Sequence, residues 1–141
     1  MFVIDSSVFS SIIVKDEFYS KAKNFLIKHS MLNNIAADLA YAETASTLWK
    51  HVHVYRRIPP DKHGELSEQI FSIIDSSVSK VYKSKDVLRE ALSNAVKYGS
   101  AVYDSIYVTL AVKHKYKLAT FDQKLKQKLE QQNLNIIYIP K

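Results

Sequence analysis

The 141-residue sequence contains no cysteine, and it has only 2 glycines and 3 prolines. Without cysteine, disulfide scaffolds, thiolate metal sites and cysteine nucleophiles are excluded. Two isolated glycines cannot form a Gly-rich phosphate loop, and so few turn residues argue against an all-β fold. No run approaches about 18 consecutive apolar residues, so no membrane span is expected. The first residues lack the basic region and cleavage site of a signal peptide, which predicts an intracellular, cytoplasmic protein.

The residues that are present fit one folded domain spanning positions 1–141. Apolar residues make up 47% of the chain and charged residues 24%, close to the average for globular proteins. The 20 Lys and Arg residues exceed the 14 Asp and Glu residues, which gives a net charge of +6. Such an excess is compatible with a polyanionic partner such as nucleic acid, and equally with an ordinary soluble surface.

Short apolar segments alternate with helical patterns along the chain. Helices are predicted over residues 8–13, 17–29, 38–56, 61–78, 85–98, 102–115 and 121–132. Strands are predicted over residues 2–4, 34–37, 81–82, 116–120 and 135–139. Ser6 or Ser7 and Asp38 are predicted to cap the helices that they precede. Short, wholly apolar strands that alternate with helices predict an α/β fold with a parallel sheet covered on both faces.

Two aspartates directly follow predicted strands. Asp5 comes after the first strand and Asp122 after the fourth, so both lie at the carboxyl edge of the sheet. Ligands of open α/β sheets bind at that edge. Taken singly, each residue is more simply explained as a helix cap.

Asp104 stands out within its helical pattern. When residues 102–115 are wound as a helix, Ser105, Thr109 and Lys113 form the polar face, and Asp104 lies about 140° from the centre of that face. A carboxylate on an apolar face is costly unless a cation or hydrogen bonds satisfy it. This position favours a functional role, with stabilisation by the helix dipole as the alternative.

Glu43 is less informative on physical grounds. The apolar stripe of its helix includes Tyr41, Ala45 and Leu48, and Glu43 is expected to point away from that stripe into solvent. Its position early in the helix after the second strand nevertheless brings it near the carboxyl edge of the sheet.

Four segments carry a family resemblance, and they are Met1–Phe9, Ala42-Glu43, Tyr103–Tyr107 and Leu118–Asp122. In this order, along essentially the whole chain, they are similar to the PIN-domain nucleases, especially the VapC-type toxins of toxin–antitoxin pairs. One departure is the segment 113–117, which is rich in lysine where relatives often have a glycine turn.

The resemblance implies a three-layer α/β/α fold with a parallel sheet in the order 3-2-1-4-5. It also implies that Asp5, Glu43, Asp104 and Asp122 converge to bind Mg²⁺ or Mn²⁺, with Ser7 and Thr120 as supporting residues. The implied activity is that of an endoribonuclease, a hydrolase of RNA phosphodiester bonds. The implied partners are an RNA substrate, a small antitoxin protein and a second copy of the chain in a homodimer.

The chemistry agrees with the residue types. Crowded carboxylates either share protons or hold a cation, and ligand sets made only of oxygen select hard ions such as Mg²⁺. We expect Asp5 and Asp104 to be direct or water-mediated ligands and Asp122 to complete the cluster. Glu43 is expected to orient the attacking water or to bind a second ion.

A basic surround is needed to bring RNA to an acidic site. The candidates are Arg56, Arg57, Lys113 and Lys115, together with Lys124, Lys126 and Lys128. Each of these side chains could equally be a solvated surface group.

Three other interpretations remain open. An enzyme with the same fold and metal could act on precursor ribosomal RNA or on structured DNA. A protein with this fold could also have lost its activity and act only by binding, although the presence of all four acids argues against this. A receiver-like phosphoacceptor domain is also a small α/β protein with acids at a sheet edge. It normally carries an acidic pair and a strand-end lysine, neither of which is evident here.

Overall fold

The computed structural model describes residues 1–141, in which seven α-helices and five β-strands alternate. The strands are β1 (Phe2–Ile4), β2 (Ile35–Ala37), β3 (Lys80–Tyr82), β4 (Lys117–Ala119) and β5 (Ile137–Tyr138). The helices are α1 (Ser6–Val14), α2 (Tyr19–Lys28), α3 (Leu39–Trp49), α4 (His63–Ser77), α5 (Ser84–Tyr98), α6 (Val102–His114) and α7 (Gln123–Glu130). A π-helical turn (Lys50–Val54) continues α3, and a 3₁₀ turn (Pro60–Lys62) precedes α4.

The five strands form one parallel sheet in the order β3-β2-β1-β4-β5. Its central strand β1 is the most apolar, and Val3 and Ile4 are completely buried. The predicted α/β class and strand order are therefore confirmed. No helix in the structure is both long and apolar enough to cross a membrane.

The helices pack in two groups. Helix α1 contacts α2, α3 and α4, whereas α6 contacts α5 and the strands β1, β2 and β4. The core between these layers includes the fully buried side chains of Phe9 on α1 and Leu110 on α6. Because all the strands are parallel, their carboxyl ends lie at the same edge of the sheet.

Two predicted helix caps differ from the structure. The cap of α1 is Asp5, whose carboxylate accepts from the backbone N–H of Ser7 at 3.4 Å, rather than a serine. Asp38 does not cap α3, because its own backbone is already helical. Its carboxylate instead accepts hydrogen bonds from the backbone N–H and the hydroxyl of Ser84, so it links α3 to α5.

The polar face predicted for α6 is wrong. Ser105 and Thr109 are buried, with 0% and 2% of their surfaces exposed, because α5 covers that side of α6. Their hydroxyls are satisfied by α5 and by the loop that joins it to α6. Ser105 Oγ lies 2.6 Å from Ser100 Oγ, and Thr109 Oγ1 accepts from the amide of Asn94 at 2.8 Å. Helix α6 is thus buried on two sides, and periodicity alone could not identify its exposed face.

Candidate active site

The fold brings the four predicted acids to the carboxyl edge of the sheet. Asp5 follows β1, Asp122 follows β4, and Glu43 lies in α3 after β2. Asp104 lies in the first turn of α6. The charges of the other three acids each raise the pKa of Asp104, so all three carboxylates lie near enough to interact with it. We refer to Asp5, Glu43, Asp104 and Asp122 as the acidic pocket.

Asp5 is held in place by hydroxyl groups from two elements. Its Oδ2 accepts from Ser7 Oγ at 2.6 Å and from Thr120 Oγ1 at 2.7 Å. These hydroxyls in turn accept from backbone N–H groups beyond β4. Phe121 donates to Ser7 Oγ and Asp122 donates to Thr120 Oγ1, each at 3.1 Å. The network fixes one oxygen of Asp5 and ties the end of β4 to the start of α1.

Asp122 also caps a helix. Its Oδ1 accepts from the backbone N–H of Leu125 at 2.9 Å, at the start of α7. Asp5 and Asp122 therefore serve as helix caps and also lie beside the other acids. The capping and site interpretations of these residues are compatible, because a cap uses only part of the acceptor capacity of a carboxylate.

Glu43 does not point into solvent as expected. The buried face of α3 is formed by Ala40, Thr44 and Leu48, and Glu43 is partly buried beside it. Its Oε1 accepts a hydrogen bond of 2.7 Å from the hydroxyl of Tyr107 on α6.

Tyr107 is a site residue that the sequence analysis missed. Two signals were available in the sequence. Tyr107 follows Asp104 by three positions, which places both side chains on neighbouring parts of one helix surface. It also introduces a hydroxyl that needs a partner into an otherwise apolar stretch.

The acidic pocket is electrostatically strained. Burial raises the pKa of Asp5. Burial and then the charge of Asp5 raise the pKa of Glu43, against the hydrogen bond from Tyr107. Burial, followed by the charges of Asp5, Asp122 and Glu43, raises the pKa of Asp104 to about 6. The Tyr107 hydroxyl is protonated at neutral pH, as in any tyrosine, and burial and the neighbouring carboxylates raise its pKa further. A cation in the pocket would relieve this repulsion.

Lys128 brings a positive charge to this region. Its ammonium group donates to the carbonyl of Gly99 at 2.9 Å, and its charge lowers the pKa of Asp104 against the effect of the acids. Gly99 ends α5 with a φ of 69°, a left-handed conformation that glycine adopts without a steric penalty. The bond from α7 therefore holds a lysine beside the loop that leads to Asp104.

Other predicted basic residues lie elsewhere. Lys113 and Lys115 are at the far end of α6, about 14 Å along the helix axis from Asp104. Lys113 also pairs with Glu90 at 3.0 Å. The Arg57 guanidinium donates to the carbonyls of Val14 and Lys15 at the end of α1, at 2.7 to 3.0 Å. Arg56 lines a separate surface depression of about 470 Å³.

The donor chemistry of the pocket suits a hard divalent ion. All four side chains offer carboxylate oxygens, the ligands that Mg²⁺ and Mn²⁺ prefer. No three acidic or histidine side chains converge closely enough to enclose an ion. The four carboxylates are therefore near one another without forming a closed set of three ligands.

Comparison with known proteins gives two matches. The PIN-domain model matches residues 2–129, a range that includes all four acids as well as Tyr107 and Lys128. Ribonuclease VapC3 of Pyrobaculum aerophilum is 33% identical to this chain over 128 residues. The aligned region covers 89% of this chain and 92% of that protein. The two chains are therefore similar over nearly their whole lengths.

Proposed function

This chain belongs to the PIN-domain family, and we propose that it is a divalent-metal-dependent endoribonuclease of the VapC type. The observation that carries the proposal is the acidic pocket, in which the other acids help to raise the pKa of Asp104 to about 6. Carboxylates whose pKa is raised by burial and by neighbouring acids are concentrated at functional sites. The similarity to Ribonuclease VapC3 over nearly its whole length supports RNA as the substrate.

In this proposal the four acids have different roles. Asp5 and Asp104 hold Mg²⁺ or Mn²⁺ directly or through water, and Asp122 completes the ligand set. Ser7 and Thr120 hold Oδ2 of Asp5, whereas Oδ1 accepts only a long hydrogen bond of 3.5 Å from Ser6 Oγ and keeps acceptor capacity for the ion. A bound ion of this type makes a water molecule more acidic and offsets the charge that develops on the phosphate. Glu43 orients the attacking water or contributes to a second ion.

Lys128 attracts the RNA backbone to the pocket. An acidic pocket alone repels a polyanion, so a nearby cation is needed. Lys128 is suited to this because its charge acts on Asp104 and its ammonium group is held near that residue by the carbonyl of Gly99. Lys113 and Lys115 are farther away and add long-range attraction, which salt screens.

We further propose that the enzyme is the toxin of a type II toxin–antitoxin pair. On this proposal it acts in the cytoplasm as a homodimer and is restrained by a small antitoxin protein. The support is the similarity to a VapC ribonuclease over 92% of that protein's length. Cleavage of a wide range of single-stranded RNAs would argue for a general processing nuclease instead.

The proposal is tested by RNA cleavage with and without metal. A panel of single-stranded RNAs is incubated with the wild type and Asp5→Asn, in Mg²⁺, in Mn²⁺ and in EDTA. Asparagine also caps helices, so the variant should fold, and circular dichroism checks this. We expect the wild type to cleave only with metal, and Asp5→Asn to lose at least about 100-fold in kcat/KM.

Asp61→Asn is the matched control. Asp61 is an exposed acid in the turn before α4, outside the acidic pocket. The variant Asp61→Asn should cleave RNA as efficiently as the wild type. Cleavage in EDTA, or equal cleavage by wild type and Asp5→Asn, would contradict the proposed function.

A further inference from the structure

Tyr107 is a buried tyrosine whose hydroxyl is directed to the acidic pocket. It lies in the middle of α6 with 1% of its surface exposed, between the buried side chains of Ile106 and Val108. A buried phenol needs a hydrogen-bond partner. The partner here is Glu43, at 2.7 Å and 64 residues away in the chain. A phenylalanine would fill nearly the same space and place no hydroxyl beside the carboxylate.

The bond between Tyr107 and Glu43 joins two helices that pack with different neighbours. Helix α3, which carries Glu43, packs mainly against α1 and α4. Helix α6, which carries Asp104 and Tyr107, packs against α5 and the sheet. The hydrogen bond therefore links Glu43 directly to the helix that carries Asp104.

The bond also restrains the orientation of the Glu43 carboxylate, with which Ser6 interacts as well. A glutamate side chain has three rotatable bonds, and the neighbouring Asp5 and Asp104 repel it. A hydrogen bond to an ionised acceptor is short and strong enough to oppose that repulsion. Tyr107 engages Oε1, and a carboxylate with one such bond keeps further acceptor capacity for the rest of the pocket.

We propose that Tyr107 is a positioning residue, whose hydroxyl holds Glu43 in the orientation that the acidic pocket needs to bind a divalent ion and to hydrolyse RNA. The proposal rests on the function proposed above. It assigns to α6 two contributions, a carboxylate from Asp104 and the orientation of a second carboxylate through Tyr107. It also accounts for the presence of a polar aromatic residue in a fully buried position.

The variant Tyr107→Phe removes only the hydroxyl. Binding of Mn²⁺ to the metal-free protein is measured by electron paramagnetic resonance, and single-turnover cleavage of RNA is measured separately. We expect the Mn²⁺ affinity and kcat each to fall about tenfold, as for loss of a hydrogen bond to a charged group, with KM for RNA unchanged within about twofold. Circular dichroism checks that the variant is folded.

A double-mutant cycle separates positioning from a general effect on the core. In the Glu43→Ala background the hydroxyl has no carboxylate to hold, so adding Tyr107→Phe should cause no further loss of Mn²⁺ affinity. Tyr116→Phe is the matched control. Tyr116 follows α6 at its other end, where its ring packs against His114, and the variant should behave as the wild type.

The outcomes distinguish this inference from the proposed function. If the wild type binds Mn²⁺ and cleaves RNA while Tyr107→Phe does both equally well, the positioning role is wrong and the nuclease assignment stands. An equal further loss from Tyr107→Phe in the Glu43→Ala background would likewise overturn the positioning role. If the wild type binds no Mn²⁺ and cleaves no RNA, the proposed function fails and this inference fails with it.

Discussion

At the scale of single residues, Asp5 directly follows a strand, caps a helix and accepts hydrogen bonds from three hydroxyl groups. From the sequence, the cap and the site were competing explanations of this residue. The structure shows that both uses fit on one side chain, because Ser7 and Thr120 occupy Oδ2. Strand-end position singled out Asp5 and Asp122 as candidates, although each taken singly was more simply explained as a helix cap. It could not reveal Tyr107, whose role depends on a contact with a different helix.

Replacing Asp104 by asparagine should stabilise the metal-free protein at neutral pH. The pKa of Asp104 is raised from 3.8 to about 6 in the folded protein. Ionised Asp104 is therefore favoured in the unfolded chain, and folding stability falls as pH rises from about 4 to about 6. After allowance for solvent screening, the charge costs about 1 kcal/mol at pH 7.5. We expect Asp104→Asn to raise the melting temperature by about 2–4 °C.

The pH dependence provides the control for this prediction. Thermal melts in EDTA at pH 7.5 and pH 4 should show the stabilisation only at the higher pH, because Asp104 is largely protonated at the lower one. Asp61→Asn should give no comparable gain at either pH. A variant that is less stable than the wild type at pH 7.5 would show that the pocket is not strained.

At the scale of elements, hydrophobic patterning located the strands and most helices but not all of their faces. The strands β1 and β2 were identifiable because their apolar residues are buried inside a parallel sheet, whereas the edge strands β3 and β5 are only partly buried. The face of α6 was misassigned because Ser105 and Thr109 are buried with their hydroxyls paired, Thr109 with Asn94 of α5 and Ser105 with Ser100 of the loop between α5 and α6. The predicted helix 38–56 ends in a π-helical turn, which residue types do not indicate.

Arg57 is expected to stabilise the fold rather than to bind RNA. Its guanidinium donates to the carbonyls of Val14 and Lys15, which α1 leaves without partners at its end. These bonds fasten the segment after the π-helical turn to α1. We expect Arg57→Gln to lower the free energy of unfolding by about 1 kcal/mol, with RNA affinity changed by less than about twofold. Urea denaturation and RNA titration measure the two quantities.

Arg56→Gln is the matched comparison, because Arg56 is the exposed neighbour in the same segment. It should cost less stability than Arg57→Gln. The interpretation of Arg57 would be wrong if Arg57→Gln kept full stability and bound RNA more weakly.

At the scale of the whole molecule, strand order decides where the site lies. In the order β3-β2-β1-β4-β5, the strands β2 and β3 lie on one side of β1, and β4 and β5 lie on the other. In parallel sheets, ligands bind in the crevice at the point where the strand order reverses in this way. Because β1 and β4 are neighbours, Asp5 and the Thr120–Asp122 segment come together. Hydrophobic patterning gave a parallel sheet but not this order, which came from the family resemblance.

The charge distribution is the second property of the whole molecule. The chain has a net charge of +6, yet four of its acids gather in one partly buried pocket. The remaining surface is correspondingly more basic, which suits a polyanionic substrate that is drawn to the protein and then meets a metal ion. Net charge could be read from the sequence, whereas the contrast between pocket and surround requires the fold.

The most direct test of the acidic pocket is the binding of Mn²⁺ to the metal-free protein, followed by electron paramagnetic resonance and without RNA. We expect saturable binding to the wild type that Mg²⁺ displaces, with affinity reduced at least about tenfold in Asp5→Asn and in Asp104→Asn. Asp61→Asn should bind as the wild type does. Absence of saturable binding, or equal binding by the wild type and both pocket variants, would contradict a divalent-ion site at the carboxyl edge of the sheet.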